Sequence, residues 1–142
     1  MIEAVPLKGS DTHFPRVMVV DDEECIRETM HELLDSEGIR ALIVAGAGDC
    51  LRLLREGFRG VILMDVMMPG KDGWDTIREM KNEGLMQGNI ISMLTAMDVP
   101  DERLEGHKEI VVDYIIKPFE PPDLIASIRM YLKLLDRMQI GA

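Results

Sequence analysis

The sequence lacks the features that mark membrane-spanning, secreted or disulfide-bonded proteins. No apolar run approaches the roughly 20 residues that cross a bilayer, and the N-terminus has neither the basic start nor the hydrophobic stretch of a signal peptide. Only two cysteines occur, Cys25 and Cys50, and their spacing fits no metal site. Both are expected to be small buried residues of a protein in a reducing compartment. We therefore expect a cytoplasmic protein without membrane insertion.

Basic residues are also scarce. The 142 residues include 16 Lys and Arg against 26 Asp and Glu, which gives a net charge of −10. Such a charge disfavours direct binding to nucleic-acid phosphates or to anionic membrane surfaces. The sequence also has no internal repeat, no low-complexity segment and no P-loop. We expect one domain over 16–138, with an N-terminal extension at 1–15 and a C-terminal tail at 139–142.

Apolar runs and amphipathic helical segments alternate along the chain. The predicted strands lie at 16–20, 41–44, 61–65, 90–95 and 111–116. The predicted helices lie at 23–36, 49–57, 74–84 and 98–108, and a last helix begins at 121 with two prolines in its first turn. Asp49 is expected to cap the second helix. Alternation with short links is typical of an α/β protein with a parallel sheet covered by helices on both faces.

Polar residues stand where the predicted strands end. Asp21 and Asp22 follow the first strand, Asp65 ends the third, Thr95 ends the fourth, and Lys117 follows the fifth. A single Asp65 would most simply cap its strand, but in a parallel sheet all these ends share one edge and the side chains converge. Three neighbouring carboxylates favour a divalent cation, typically Mg²⁺ where phosphate is also involved. Lys117 and Thr95 add a charge and a hydroxyl suited to a phosphoryl group near Asp65.

Four short motifs carry a family resemblance. They are the acidic pair Asp21-Asp22, Asp65 with Met68-Pro69-Gly70 and Gly73 behind it, Thr95-Ala96, and Tyr114-Ile115-Ile116-Lys117-Pro118-Phe119. In this order and spacing, the chain resembles the receiver domain of two-component response regulators, a family that includes single-domain chemotaxis regulators. The resemblance covers 16–138, which is nearly the whole chain.

The resemblance implies a flavodoxin-like, doubly wound fold with five parallel strands in the order 2-1-3-4-5. It also implies that Asp65 takes a phosphoryl group from the phosphohistidine of a sensor histidine kinase or phosphotransfer protein. The implied Mg²⁺ ligands are Asp21, Asp22, Asp65 and the backbone carbonyl of Met67. Thr95 and Lys117 would contact the phosphoryl oxygens, and Lys117-Pro118 would be a cis peptide bond.

The same resemblance implies a switch, not an enzyme with a separate substrate. Thr95 would move towards the phosphate and Tyr114 would turn inward, which would change the surface of the fourth helix, fifth strand and fifth helix for a downstream protein partner. The domain would catalyse only its own phosphorylation and slow dephosphorylation. Met67 and Met97 correspond to the two positions that flank the path of the hydrolytic water, and their thioethers are expected to prolong the life of the phosphate.

Three other interpretations compete with this one. A pseudo-receiver would use the same fold to bind partners without phosphorylation, but the presence of all five strand-end residues argues against it. A phosphatase of the haloacid dehalogenase type is expected to carry Asp-x-Asp after its first strand, whereas Asp65 lies on the third. A flavodoxin needs a phosphate loop rich in Ser, Thr and Gly after the first strand, and that loop is missing.

Overall fold

The computed structural model describes residues 15–96 and 111–140. The strands in these ranges are β1 (Val17–Val20), β2 (Ala41–Val44), β3 (Val61–Asp65), β4 (Ile90–Thr95) and β5 (Val111–Ile116). The helices are α1 (Glu24–Ser36), α2 (Ala47–Arg55), α3 (Gly73–Asn82) and a C-terminal helix (Pro121–Ile140). The helix predicted at 98–108 lies outside the described residues. Among the helices described, none is long and apolar enough to cross a bilayer.

The five strands form one parallel sheet in the predicted order, β2-β1-β3-β4-β5. β1, β3 and β4 are buried along their whole length, which explains why they are almost entirely apolar, with Ser92 as the one polar residue before β3 and β4 end at Asp65 and Thr95. Val20 at the end of β1 pairs with Met64 of β3, and Asp65 pairs with Leu94 of β4. The carboxyl ends of the central strands are therefore level, and the residues that follow them share one edge of the sheet.

Helices cover both faces of this sheet. Side chains alternate along a strand, so Met64 packs with α2 and α3 on one face, whereas Leu63 packs with α1 and the C-terminal helix on the other. On the second face, Met30 of α1 and Tyr131 of the C-terminal helix are both almost completely buried. The predicted flavodoxin-like α/β architecture is confirmed.

A group of polar side chains joins the C-terminal helix to β4 and β5. The hydroxyl of Tyr131 donates to Oδ2 of Asp113 at 2.9 Å and lies 3.0 Å from Oγ of Ser92. Burial raises the pKa of Tyr131 to about 12, so this hydroxyl stays protonated. The helix is thereby fixed to the two strands that place Thr95 and Lys117 at the edge of the sheet.

The start of α3 fixes the chain behind Asp65. Asp72 and Asp75 form a reciprocal capping box, in which each side chain accepts a hydrogen bond from the other's backbone N–H, at 2.8 Å and 3.2 Å. Between them, Gly73 approaches the strand so closely that an added Cβ would lie 2.5 Å from the carbonyl oxygen of Asp65. Only glycine fits there without displacing the end of β3.

Two local predictions are wrong. α2 begins at Ala47 after Gly46, so Asp49 lies inside the first turn and does not cap the helix. Ala47 is buried, and its contact with the core favours the earlier start. Cys50 is buried as expected, and burial raises its pKa to about 12, but Cys25 is exposed. Cys25 lies five residues before the buried Met30 and therefore points away from the core face of α1.

Candidate functional site

The structure brings the three acidic residues together at the carboxyl edge of the sheet. Asp21 directly follows β1 and is completely buried, Asp65 is 3% exposed at the end of β3, and Asp22 is exposed. Each offers a carboxylate oxygen, and these oxygens all lie within 4.8 Å of one another. Two carboxylates are therefore buried beside a third that reaches solvent, which leaves the cluster open from one side.

Lys117 reaches the same cluster from the end of β5. Its Nζ lies 2.7 Å from Oδ2 of Asp21, 3.4 Å from Oε1 of Glu23 and 3.5 Å from Oδ1 of Asp65. Its backbone N–H donates to the carbonyl oxygen of Thr95 at 2.7 Å, and the following peptide bond to Pro118 is cis, as predicted. One fixed cation thus faces the carboxylates from the fifth strand.

Burial, together with the crowding of negative charge, changes the protonation of Asp65. Burial, and then the charge of Asp21, raise the pKa of Asp65 to about 7, although Lys117 opposes the shift. A hydrogen bond with Asp22 raises this pKa further, and the N–H of Met67, which donates to Oδ1 of Asp65 at 3.2 Å, lowers it. Near neutral pH the carboxyl is therefore divided between its two forms, and an added cation would favour the ionised one.

Lys117 remains charged in this environment. Burial lowers its pKa, but the hydrogen bond to Asp21 and the charges of Asp21 and Asp65 outweigh that cost, so the pKa is raised overall. The ammonium group can therefore neutralise negative charge at the site throughout the physiological pH range.

Glu23 and Arg27 also belong to the surroundings of the site, and neither was predicted from the sequence. The N–H of Glu23 donates to Oδ1 of Asp21 at 2.9 Å, and Nη1 of Arg27 donates to the carbonyl oxygen of Asp21 at 2.8 Å. The acidic start of α1 suggested only a favourable interaction with the helix dipole. The position of Arg27 in the sequence offered one indication. A side chain in the first turn of a helix points back towards the N-terminus, so it lies over the residues that precede the helix.

Thr95 and Tyr114, the predicted switch residues, lie on the same face of the sheet. Tyr114 is half-buried against the cluster that packs with α2 and α3, and it pairs across strands with Met93 of that cluster. Thr95 is two residues beyond Met93 and is 6% exposed at the end of β4. Because side chains two apart in a strand share a face, both residues point to the same side of the sheet.

Other predicted residues are found around the site. Met67 is 68% exposed, whereas Trp74 is buried between α3 and the sheet. Met97 lies outside the described residues.

Comparison with known proteins identifies the family. A family model described as the response regulator receiver domain matches residues 17–129. The chain belongs to this family. The order of the motifs at the strand ends had indicated a receiver domain, and that prediction is confirmed.

The receiver domain is similar to parts of longer regulators. It is 31% identical to the phosphate regulon transcriptional regulatory protein PhoB of Escherichia coli, over 88% of this chain and 55% of PhoB. It is 32% identical to the DNA-binding response regulator MtrA of Mycolicibacterium smegmatis, over 87% of this chain and 53% of MtrA. The chain thus spans about half the length of these relatives.

Solved structures agree with this assignment. A CheY-like response regulator receiver domain protein from Methanospirillum hungatei is 43% identical and has a TM-score of 0.79, covering 85% of this chain and 96% of that one. The chemotaxis protein CheY4 of Vibrio cholerae is 26% identical with a TM-score of 0.72, covering 82% and 97%. The receiver domain of this chain therefore corresponds to nearly the whole of these two structures.

Proposed function

We propose that this receiver domain accepts a phosphoryl group on Asp65 from a phosphohistidine. The observation that carries the proposal is the position of Asp65, almost completely buried at a strand end between two other carboxylates and a lysine. An Asp65 oxygen attacks the phosphorus, the P–O bond forms, and the P–N bond to the histidine breaks. The imidazole nitrogen keeps the electron pair and takes up a proton, so an acyl phosphate and a neutral histidine result.

Asp21, Asp22 and Asp65, with the backbone carbonyl of Met67, are proposed to hold Mg²⁺. The carboxylate oxygens lie within 4.8 Å of one another, and two ligands on opposite sides of one Mg²⁺ are about 4.2 Å apart, so small side-chain movements suffice. The raised pKa of Asp65 also fits, because burial and then the charge of Asp21 disfavour its ionised form, and a bound cation would offset both. When bound, the ion supplies charge neutralisation for the transferred phosphoryl group.

Lys117 and Thr95 are proposed to bind the phosphoryl oxygens. Lys117 lies between Asp21 and Asp65, so its ammonium group needs only a small displacement to meet an oxygen on phosphorylated Asp65. Thr95 ends β4, which pairs with the strand that ends at Asp65, and its hydroxyl can donate a hydrogen bond to a second phosphoryl oxygen. Tyr114 lies on the same face and would fill the space that Thr95 leaves.

The signal is proposed to leave through a protein partner. The expected surface consists of β5, the C-terminal helix and the helix predicted at 98–108. Within the described part of this surface, Ile116, Met130, Leu134 and Met138 are large exposed apolar residues. The printed names of PhoB and MtrA refer to transcription and to DNA, but the charge of −10 favours a protein contact for this chain. The donor is proposed to be a histidine kinase or phosphotransfer protein of the cytoplasm.

Acetyl phosphate tests the proposal against the pseudo-receiver. The intact protein is incubated with acetyl phosphate and Mg²⁺, and its mass is measured. The proposal expects the mass of one added phosphoryl group, which is lost in hydroxylamine. A folded protein that gains no mass with acetyl phosphate or with phosphoramidate, a small P–N donor, would favour the pseudo-receiver.

A further inference from the structure

The outer faces of α1 and of the C-terminal helix carry opposite charges. On α1, Glu24, Glu28 and Glu32 are exposed at intervals of four residues, so they form one column along the helix, and Asp35 extends the same face. On the C-terminal helix, Arg129, Lys133 and Arg137 are exposed with the same spacing. Both columns span eight residues, or about 12 Å of helix.

These two helices lie side by side on one face of the sheet. Their inner residues share one apolar cluster, and Arg129 bridges the two helices through an ion pair of 2.8 Å with Glu37. Each follows a strand of the same parallel sheet and returns from its carboxyl edge, so the helices run in the same direction. An acidic strip and a basic strip are therefore neighbours on a single surface.

Most charges in the two columns are not paired within the chain. In residues 15–96 and 111–140, the ion pairs include Arg129 but none of Glu28, Glu32, Lys133 and Arg137. Like charges four residues apart on a helix repel, so each column destabilises its own helix. A partner that presents the opposite column would remove this repulsion.

We propose that this face is the interface of a two-fold symmetric dimer, in which α1 of each copy lies against the C-terminal helix of the other. A two-fold axis repeats every contact, so the acidic column of one copy meets the basic column of its partner twice. The alternative register places α1 against α1 and brings acidic columns together. Charge complementarity therefore selects both the occupant, a second copy of this chain, and its orientation.

The apolar residues of the C-terminal helix are not part of this interface. Met130, Leu134 and Met138 form a column of their own, which begins one residue after Arg129 and is turned by about 100° from the basic column. The dimer would thus occupy the basic column of the C-terminal helix and not its apolar column, which belongs to the proposed partner surface. It also needs no phosphoryl group, so it stands or falls independently of Asp65 phosphorylation.

The net charge of −10 opposes association only at long range. At physiological ionic strength the Debye length is about 8 Å, so charges outside the contact are largely screened, whereas the facing columns are closer than this. The dimer is consequently expected to be weak, with a dissociation constant on the order of tens of micromolar, and to weaken further in high salt.

Charge exchange between the two columns tests the proposal. One variant carries Lys133→Glu and Arg137→Glu, and the other carries Glu28→Lys and Glu32→Lys. In the proposed dimer each variant repels its own copies, but the two variants attract each other at both contacts. A control with Arg78→Glu and Lys81→Glu on α3, which lies on the opposite face of the sheet, has the same change of net charge as the first variant.

Sedimentation velocity of the full chain, at rising concentration and without phosphodonor, gives the outcome. The wild type and the control should show a monomer–dimer equilibrium, each variant alone should associate at least ~10-fold more weakly, and their equimolar mixture should regain dimers. A wild type that remains monomeric to about 1 mM would overturn the proposal and leave both columns for other partners. A mixture of the two variants that does not associate, or a wild type that forms assemblies larger than dimers, would also overturn the proposal.

Discussion

Nζ of Lys117 lies 2.7 Å from Oδ2 of Asp21, closer than to either of the other carboxylates with which it pairs. The same carboxylate belongs to the group of acidic residues that can hold a cation. A metal ion bound by this cluster would therefore compete with Lys117 for Asp21, and phosphorylation would give Lys117 a new partner.

This competition predicts that Lys117→Met binds Mg²⁺ more tightly than the wild type. Removing a positive charge beside two ligand carboxylates should increase the affinity by about 10-fold, equivalent to about 1.4 kcal/mol. Titration calorimetry measures it directly, and the fluorescence of the buried Trp74 provides a second signal. Lys81→Met removes an exposed charge from α3 and should leave the affinity unchanged. An affinity for Mg²⁺ that falls in Lys117→Met would contradict the competition.

The raised pKa of Asp65 predicts how stability depends on pH in the absence of metal. The ordinary pKa of an aspartate is about 3.9, so between about pH 4 and 7 the folded protein binds a proton that the unfolded chain does not. Protonated Asp65 therefore stabilises the folded protein at low pH relative to high pH, and this stabilisation is lost as the pH rises towards 7. Asp65→Asn cannot ionise, and it should stabilise the domain more at about pH 8 than at about pH 5.

Urea unfolding in the presence of a chelator measures the free energy of unfolding of the wild type and of Asp65→Asn at both pH values. The exposed control Glu56→Gln should show no comparable pH dependence, and Mg²⁺ should reduce the advantage of Asp65→Asn at high pH. If Asp65→Asn raises the free energy of unfolding equally at the two pH values, the pKa of Asp65 is not raised in the folded protein.

Gly73 is predicted to be the glycine that matters most to the shape of the site. A methyl group there meets the carbonyl oxygen of Asp65 at 2.5 Å, so Gly73→Ala should cost about 1–3 kcal/mol and displace the end of β3. Gly48, inside α2, has open space around the same added atom, and Gly48→Ala should stabilise the domain by about 0.5–1 kcal/mol. Thermal unfolding of both variants checks the contrast, and equal effects would refute it.

Much of the architecture could be predicted because buried parallel strands have a simple signature. The run that became β3 is apolar up to Asp65, the run that became β4 is interrupted only by Ser92 before Thr95, and the polar residue that ends each run marks the edge of the sheet. The family motifs then fixed the order of the strands. Local patterns were less informative where tertiary contacts decide, as at the start of α2, where burial of Ala47 overrides the capping preference of Asp49.

The surroundings of the site could not be predicted in the same way. The approach of Arg27 to the carbonyl of Asp21, and of Glu23 to Lys117, depends on how α1 crosses the end of the sheet. No periodicity in the sequence encodes that angle. The exposure of Cys25 follows from its position relative to the apolar face of α1, which the spacing of the apolar residues indicates. The prediction that Cys25 is buried used only the general preference of cysteine for the core.

The methionines two positions beyond Asp65 and Thr95 in the sequence predict a long-lived phosphate. Met67 is 68% exposed next to Asp65, and neither Met67 nor Met97 can orient a water by a strong hydrogen bond. Met67→Asn with Met97→Glu should speed the loss of phosphate by ~10-fold, equivalent to about 1.4 kcal/mol of barrier. Decay of the labelled proteins after removal of donor gives the rates. If the wild type loses phosphate as fast as the double variant, these methionines do not protect the bond.

Mapping the phosphoryl group is the most direct test of the account. The wild type and Asp65→Asn are treated with acetyl phosphate in Mg²⁺ or in excess chelator, and the labelled residue is located by borohydride reduction and peptide mass analysis. The account predicts one modified residue, Asp65, in the wild type with Mg²⁺, and little or no label in chelator or in Asp65→Asn. Asp22→Ala should also lose most of the label, because Asp22 is a proposed ligand of the ion. Full labelling of Asp65→Asn, or of the wild type in chelator, would contradict the central claim.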